Sequence, residues 1–216
     1  MKIYLTTFFV LILNFAFAQF SRLEYIEMYQ NIAINEMRRT GIPASIKMAQ
    51  ACLESANGNS PLCKMSNNHF GIKCKSNWTG ESVKWDDDER NECFRKYDTV
   101  EESFIDHSNF LVNSPRYASL FALQPTDYVG WARGLKAAGY ATAPDYAERL
   151  IKIIDENRLY LLDNGMNLDE LAMAGGSEIA LKNVSNNLKI ELEPHQVVSA
   201  NHLKAVVARE GDTFEI

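Results

Sequence analysis

The chain has 216 residues, 46% of them hydrophobic and 23% charged, with a formal net charge of −6. An acidic balance of this kind argues against nucleic acid or an anionic membrane surface as the partner.

Residues 1–18 read as a secretory leader. Lys2 supplies the positive start, Phe8 to Leu13 the apolar centre, and Ala16-Phe17-Ala18 an A-x-A cleavage site before Gln19. The apolar run is too short to span a bilayer comfortably. The mature chain is therefore expected to be exported and soluble, with cleavage near Ala18 and no membrane contact; an uncleaved anchor is the alternative. Loss of Lys2 makes the mature chain one charge more negative.

Ser21 to Arg39 has the period of a helix with Leu23, Ile26, Ala33 and Met37 inward, ended by Thr40-Gly41. Pro43 lacks an N–H and suits the first turn of the next helix. Ile46, Ala49, Leu53 and Ala56 recur there at helical spacing, which predicts one narrow buried face, and Asn57-Gly58 stops the helix. Glu54 is the odd residue. It lies near the helix C-terminus, where the macrodipole disfavours a carboxylate. Half buried in that place, it should have a raised pKa, as a general acid requires. The plainer alternative is a solvated glutamate.

Ser60-Pro61 opens a short helical piece, and Asn67 to Ile72 is a tight, amide-rich loop. Ser82 to Trp85 and Glu92 to Tyr97 look like strands of a hairpin whose acidic tip runs from Asp86 to Asn91. Thr99-Val100-Glu101-Glu102 is a capping box. The helix after it buries Phe104, Ile105, Ser108 and Leu111, with His107 near that face as a packed or capping residue. After a break at Ser114-Pro115, Thr126 caps a helix with Tyr128, Trp131, Ala132 and Leu135 apolar, and Gly139 at its end. Pro144 starts another, packed through Tyr146, Leu150, Ile153 and Ile154. Beyond Asp163, Asn164-Gly165, Gly175-Gly176 and Asn186-Asn187 are turn or linker material.

Four cysteines in an exported chain allow three pairings. Cys74 and Cys93 flank the hairpin and are paired here, which leaves Cys52 with Cys63 across the helix end; the alternative is that one pair stays as reduced, buried thiols. A zinc site is not expected, because no C-x-x-C occurs and the four histidines are scattered.

The stretch from Gly41 to Cys74 resembles the catalytic helix and following loop of glycoside hydrolase family 73, the peptidoglycan-cleaving N-acetylglucosaminidases of flagellar rod hydrolases and autolysins. Pro43-Ala44-Ser45, Ala49-Gln50-Ala51, Leu53-Glu54-Ser55 and Asn67-Asn68-His69-Phe70-Gly71-Ile72-Lys73 carry the likeness in order. Phe94 to Asp98 with Glu101-Glu102-Ser103, Ser114 to Tyr117, and Gly139 to Ala147 extend it, so it covers about Ser21 to Asp163. The resemblance implies a lysozyme-like α+β fold, a mainly helical lobe with a small β-hairpin lobe beside a cleft for peptidoglycan glycan strands. Glu54 would protonate the leaving oxygen of the β-1,4 bond between N-acetylglucosamine and N-acetylmuramic acid. Tyr140 and Tyr146 match the family's tyrosines near the active Glu, though core packing is an equal reading of Tyr146. Asn68, His69 and Phe70 are expected at the substrate. For a second carboxylate, Glu89 falls at the matching hairpin position and Asp87 is next, since on an extended strand these two share one face and Asp86 and Asp88 the other.

The chain has Ala56-Asn57-Gly58 where many relatives have Gly-Trp-Gly, which leaves Trp78, Trp85 or Trp131 to supply a sugar-stacking surface. Peptide stems carry carboxylates too, so wall binding should rest on sugar contacts. Lys204 to Ile216 resembles the start of a LysM repeat, too short to bury a core. The organisation expected is a leader (1–18), a glucosaminidase domain (19–163), a linker (164–203) and an incomplete LysM-like start (204–216), acting as a monomer without cofactor or metal. The rivals are a muramidase or lytic transglycosylase on the same fold, a non-catalytic wall-binding module, and an assembly protein that kept the scaffold.

Overall fold

Helix α1 (Arg22–Thr40) begins at Ser21, whose hydroxyl accepts the Glu24 N–H while the Glu24 carboxylate accepts the Ser21 N–H. Gly41, at φ 81°, closes it in the left-handed conformation that favours glycine. Helices α2 (Ala44–Glu54) and α3 (Pro61–Ser66) follow, then strands β1 (Ser82–Trp85) and β2 (Glu92–Arg95), paired antiparallel with Val83 opposite Phe94. The chain continues through α4 (Val100–Val112), a 3-10 segment (Pro115–Ala122), α5 (Tyr128–Ala137), α6 (Tyr146–Glu156) and a second 3-10 segment (Leu159–Asn164).

The computed structural model describes residues 19–76 and 78–167 and the backbone of residues 197–200 and 203–206. The last two are β3 (Val197–Ala200) and β4 (Leu203–Val206), a second antiparallel pair. Strand β3 falls in the stretch read as linker, and β4 overlaps the strand expected to open the LysM-like start. The rest of that start, the leader and its cleavage site lie outside the described residues. No helix among the described residues is long and apolar enough to cross a membrane.

The core is built around α2, which packs against α1, α5, α6 and the 159–164 segment. One narrow buried face was expected, but every residue from Ala44 to Cys52 is buried. The small side chains of Ala44, Ser45, Ala49 and Ala51 let neighbours approach from all sides, so the helix is enclosed rather than amphipathic. Three other positions differ from the pattern. Ala56 lies beyond the end of α2 and is exposed. Leu23 is 55% exposed, because α1 buries Tyr25, Ile26, Ala33 and Ile34 instead. Ile105 lies at the edge of the α4 stripe formed by Phe104, His107, Ser108 and Leu111 and is 36% exposed.

Pro43 gives α2 no side-chain cap. The cap comes from the other end of the domain: Asp163 accepts the Ser45 N–H at 2.8 Å and the Ser45 hydroxyl at 2.7 Å. A carboxylate there satisfies orphan donors and complements the positive end of the dipole.

The 67–72 loop is tied to the hairpin. The Asn68 amide donates to the carbonyls of Ile72 and Arg95 and accepts the Ile72 N–H, all at 2.9 Å. Lys73 bridges to Phe94, and Cys74 is joined to Cys93 by a disulfide, as expected. The expected Cys52–Cys63 bridge is absent. Both are free, buried thiols, each pushed up to about 12 by burial. The turn between them is already closed by Asn57 N–H to Cys52 O, Ser60 N–H to Ser55 O and Gly58 N–H to the Ser55 hydroxyl. The thiols pack as small apolar groups, the alternative noted for one pair.

Asp163→Ala should destabilise the domain by about 1–3 kcal/mol, a lost cap with buried donors left unpaired. Asp163→Asn, which keeps an acceptor for the Ser45 N–H, should cost less. Urea denaturation of the two variants checks this; equal, wild-type midpoints would remove the cap from the account.

Candidate active site

Glu54 is the last residue of α2 and lies half-buried at a cleft of about 500 Å³. The cleft is lined by residues of the 70–75 loop, Asp87 and Asp88 of the hairpin tip, Phe110, the 140–143 segment, Tyr146 and Arg149. Tyr146 donates its hydroxyl hydrogen to Glu54 Oε1 at 2.9 Å and accepts from the Gln50 amide at 3.1 Å. Burial raises the Glu54 pKa above the ordinary carboxylate value; the Tyr146 hydrogen bond and the Arg149 charge oppose the shift, and the Asp87 charge adds to it.

Behind this pair a second polar chain enters from the core. Lys47 Nζ is 2.7 Å from His107 Nδ1, and His107 Nε2 is 2.9 Å from the Tyr140 hydroxyl. Tyr140 stacks on Tyr146 with ring centroids 5.6 Å apart.

The two tyrosines expected near Glu54 are thus beside it, both lining the cleft, together with Phe70. Asn68 and His69 do not line it. Asn68 holds the loop to β2, and His69 is buried with its N–H on the Ser103 hydroxyl and its Nδ1 against the Tyr25 hydroxyl. These groups hold the loop to β2, α4 and α1, away from the cleft lining.

At the hairpin, Asp87 and Asp88 line the cleft and Glu89 does not. The expected alternation fails because residues 86–91 form bends and a turn, so the two-residue period of a strand does not apply. Lys73 pairs with Asp87 at 3.3 Å, Asp88 at 3.1 Å and Glu92 at 2.9 Å. These three carboxylates lie close enough together to hold a cation, and the chain supplies one in the Lys73 ammonium. The tryptophans are elsewhere: Trp78 stacks on the Arg95 guanidinium, Trp131 is packed edge-on against Phe121 in the core, and Trp85 is not part of the cleft wall.

A family model described as glucosaminidase, mannosyl-glycoprotein endo-beta-N-acetylglucosaminidase, matches residues 30–159. The chain belongs to the glucosaminidase family. The match spans Glu54, the hairpin and both tyrosines, and agrees with the resemblance read from the sequence. The peptidoglycan hydrolase FlgJ of Vibrio cholerae is 32% identical over 158 residues, 65% of this chain and 46% of that protein. The exo-glucosaminidase LytG of Bacillus subtilis is 38% identical over 125 residues, 52% of this chain and 43% of that one. This chain spans about half the length of the curated relatives it matches. A solved peptidoglycan hydrolase from Sphingomonas sp. A1 is similar at a TM-score of 0.58 and 36% identity, over 68% of this chain and 96% of that one. The glycoside hydrolase domain of Salmonella typhimurium FlgJ gives 0.56 and 25%, over 77% and 98%. The fold is the lysozyme-like α+β arrangement of these family members.

Sequence reasoning missed Lys47, Gln50, Lys73, Asp88, Phe110 and Arg149. One signal was available: Lys47, Gln50 and Glu54 recur at i, i+3 and i+7, a polar line on a helix that is otherwise apolar. Arg149 follows Tyr146 at i+3 and shares its face.

The Tyr146 bond favours the ionised form of Glu54. Tyr146→Phe should therefore raise the Glu54 pKa further, which carboxyl-carbon NMR titration measures directly. A downward shift or none would separate the tyrosine from the glutamate.

Proposed function

We propose that this chain is an exported peptidoglycan hydrolase that cleaves the β-1,4 bond between N-acetylglucosamine and N-acetylmuramic acid, with Glu54 as general acid. The observation that carries the reading is the half-buried Glu54, its pKa raised by burial, held by Tyr146 at the floor of a cleft. Because Tyr146 engages Oε1, the transferable proton sits on Oε2. As that proton passes to the glycosidic oxygen, negative charge grows on the carboxyl. The Tyr146 hydrogen bond and the Arg149 charge both favour that ionised form, so they strengthen during proton transfer and lower its barrier. Asp87 lines the same cleft, paired with Lys73 and close enough for its charge to act on Glu54, and serves as the second carboxylate, toward the positive charge that develops on the sugar ring and the water that attacks it. Export is supported by the leader-like residues 1–18 and by the Cys74–Cys93 disulfide, which suits an oxidising compartment.

Glu54→Gln should lower turnover by about 10²–10⁴-fold, the usual contribution of general acid catalysis. Its effect on stability should have the opposite sign. A folded-state pKa above the unfolded value means that the group's contribution to stability is present at low pH and lost as pH rises through the folded pKa. Glu54→Gln removes that loss, so the variant should gain on the wild type as the pH is raised from acid to neutral. Wild-type turnover in a folded variant, or a stability difference independent of pH, would sink the assignment.

The hairpin carboxylates should be unequal. Asp87→Asn should reduce turnover far more than Glu89→Gln. Mass spectrometry of fragments from purified peptidoglycan should find reducing N-acetylglucosamine ends. Reducing muramic acid would identify a muramidase, an anhydro-muramic end a transglycosylase, and sedimentation with the wall without any release a binding module.

A further inference from the structure

Of the polar line along α2, Glu54 and the Gln50 amide nitrogen are engaged by Tyr146, Gln50 Oε1 is buried without a partner, and Lys47 is left. A lysine with no solvent exposure inside the central helix is costly unless it is paired and used. Its surroundings are few. Glu36 of α1, itself buried and bonded to Arg39 at 2.6 and 2.9 Å, supplies the nearby negative charge. The Phe70 ring lies 5.2 Å from the ammonium, and His107 of α4 takes the hydrogen bond.

His107 is also fully buried. Phe70 stacks flat on its imidazole at 3.9 Å, so the ring cannot turn without displacing that contact. The hydrogen-bond logic then runs one way. Burial pushes the Lys47 pKa well down and the Glu36 charge opposes that shift. With its proton held by the Glu36 field, the ammonium has only donors, and His107 Nδ1 accepts. The neutral imidazole carries its proton on Nε2 and donates it to the Tyr140 oxygen, 2.9 Å away. The Tyr140 oxygen has thereby filled an acceptor position, and its own hydrogen is left for a group outside the chain Lys47–His107–Tyr140. Tyr140 is the member of that chain that lines the cleft.

We propose that Lys47 and His107 are positioning residues that hold the Tyr140 hydroxyl as a hydrogen-bond donor to a carbonyl or hydroxyl oxygen of the glycan in the cleft. This rests on the reading of the cleft as a glycan site. Tyr140 touches the substrate, and the two residues behind it fix where its oxygen lies and which way its hydrogen points. Burial and the neighbouring Lys47 charge keep His107 neutral, and burial keeps Tyr140 protonated, so the sense of the chain does not change across neutral pH.

The test has an arm that needs no activity. Nitrogen-15 NMR of the wild-type protein should show His107 as the neutral Nε2–H tautomer, without titration between pH 5 and 9. An Nδ1–H tautomer, or a titrating imidazole, overturns the proposal whether or not the protein cleaves glycan. The second arm is a double-mutant cycle on peptidoglycan turnover. Tyr140→Phe and Lys47→Met should each lower kcat/KM by about ten- to a hundredfold, as expected for a lost or misplaced hydrogen bond. The double variant should lose no more than either alone. Lys47→Met should keep or raise the melting temperature, because a buried ammonium is removed while Glu36 retains Arg39. A merely structural lysine predicts the reverse: a lower melting temperature and independent, additive losses. Additive losses, or full activity in Lys47→Met, refute the coupling. If Lys47→Met does not fold, the tautomer measurement decides alone. If the wild type releases no sugar ends, the glycan reading has failed and the tautomer result still stands or falls by itself.

Discussion

The enclosure of α2 is the constraint on which the rest depends. A helix buried on every side exposes only its ends, and each end carries one carboxylate. Asp163 is at the N-terminus, where it takes two hydrogen bonds from Ser45 and meets the positive end of the dipole. Glu54 is at the C-terminus, where the dipole is unfavourable and Tyr146 supplies one hydrogen bond. Burial raises the pKa of both carboxylates, Asp163 to about 6; they differ in place, since the first is tied to the helix start by hydrogen bonds and the second opens on the cleft. The anchor and the cleft carboxylate are about one helix length apart.

Enclosure also explains why polar residues appear in the core at all. Lys47, Gln50 and Glu54 point along one side of α2, so each must find a partner inside the protein or forgo one. Gln50 and Glu54 share the Tyr146 hydroxyl, and Lys47 reaches Tyr140 through His107. The two tyrosines come from the same short stretch, residues 140–146, and stack on each other. One segment therefore closes both polar chains. Its position is set by Gly139, at φ 74°, and by the packing of Ala147, Leu150 and Ile154 below it.

Much of this was legible in the sequence. The helical periods, the hairpin, the Glu54 anomaly and the Cys74–Cys93 bridge depend on neighbours close in sequence or on a motif read whole. What was not legible depends on contacts between distant residues. Asn68 looked like a ligand-facing amide, but its partner is the Arg95 carbonyl, 27 positions away. Lys73 lay at the end of a recognised motif, yet its role as counter-ion to Asp87, Asp88 and Glu92 exists only once the loop is bridged to β2. The acidic tip misled for a different reason: strand alternation was extended past the end of the strand, into a bend. The narrow face expected of α2 was an underestimate, because periodicity counts large apolar residues and is blind to alanines and serines that admit neighbours.

The departure at Ala56-Asn57-Gly58 has a consequence for the cleft. Ala56 and Asn57 are both in the left-handed region, at φ 53° and 55°, so the turn keeps a glycine-like path with side chains present, and no indole projects from it. The aromatic surface of the cleft must then come from its four rings. Tyr146 and Phe70 are almost wholly buried, at 2% and 3% exposure. Phe110 has the Lys75 ammonium 4.8 Å from its centre, which occupies a face that a sugar would need. Tyr140 is the remaining ring, partly exposed and carrying a hydroxyl. A cleft with no indole in its lining and one accessible phenol relies more on directed hydrogen bonds than on apolar contact. Such bonds work only if the donor is held in place, which is the task that the buried lysine and histidine behind Tyr140 are placed to perform.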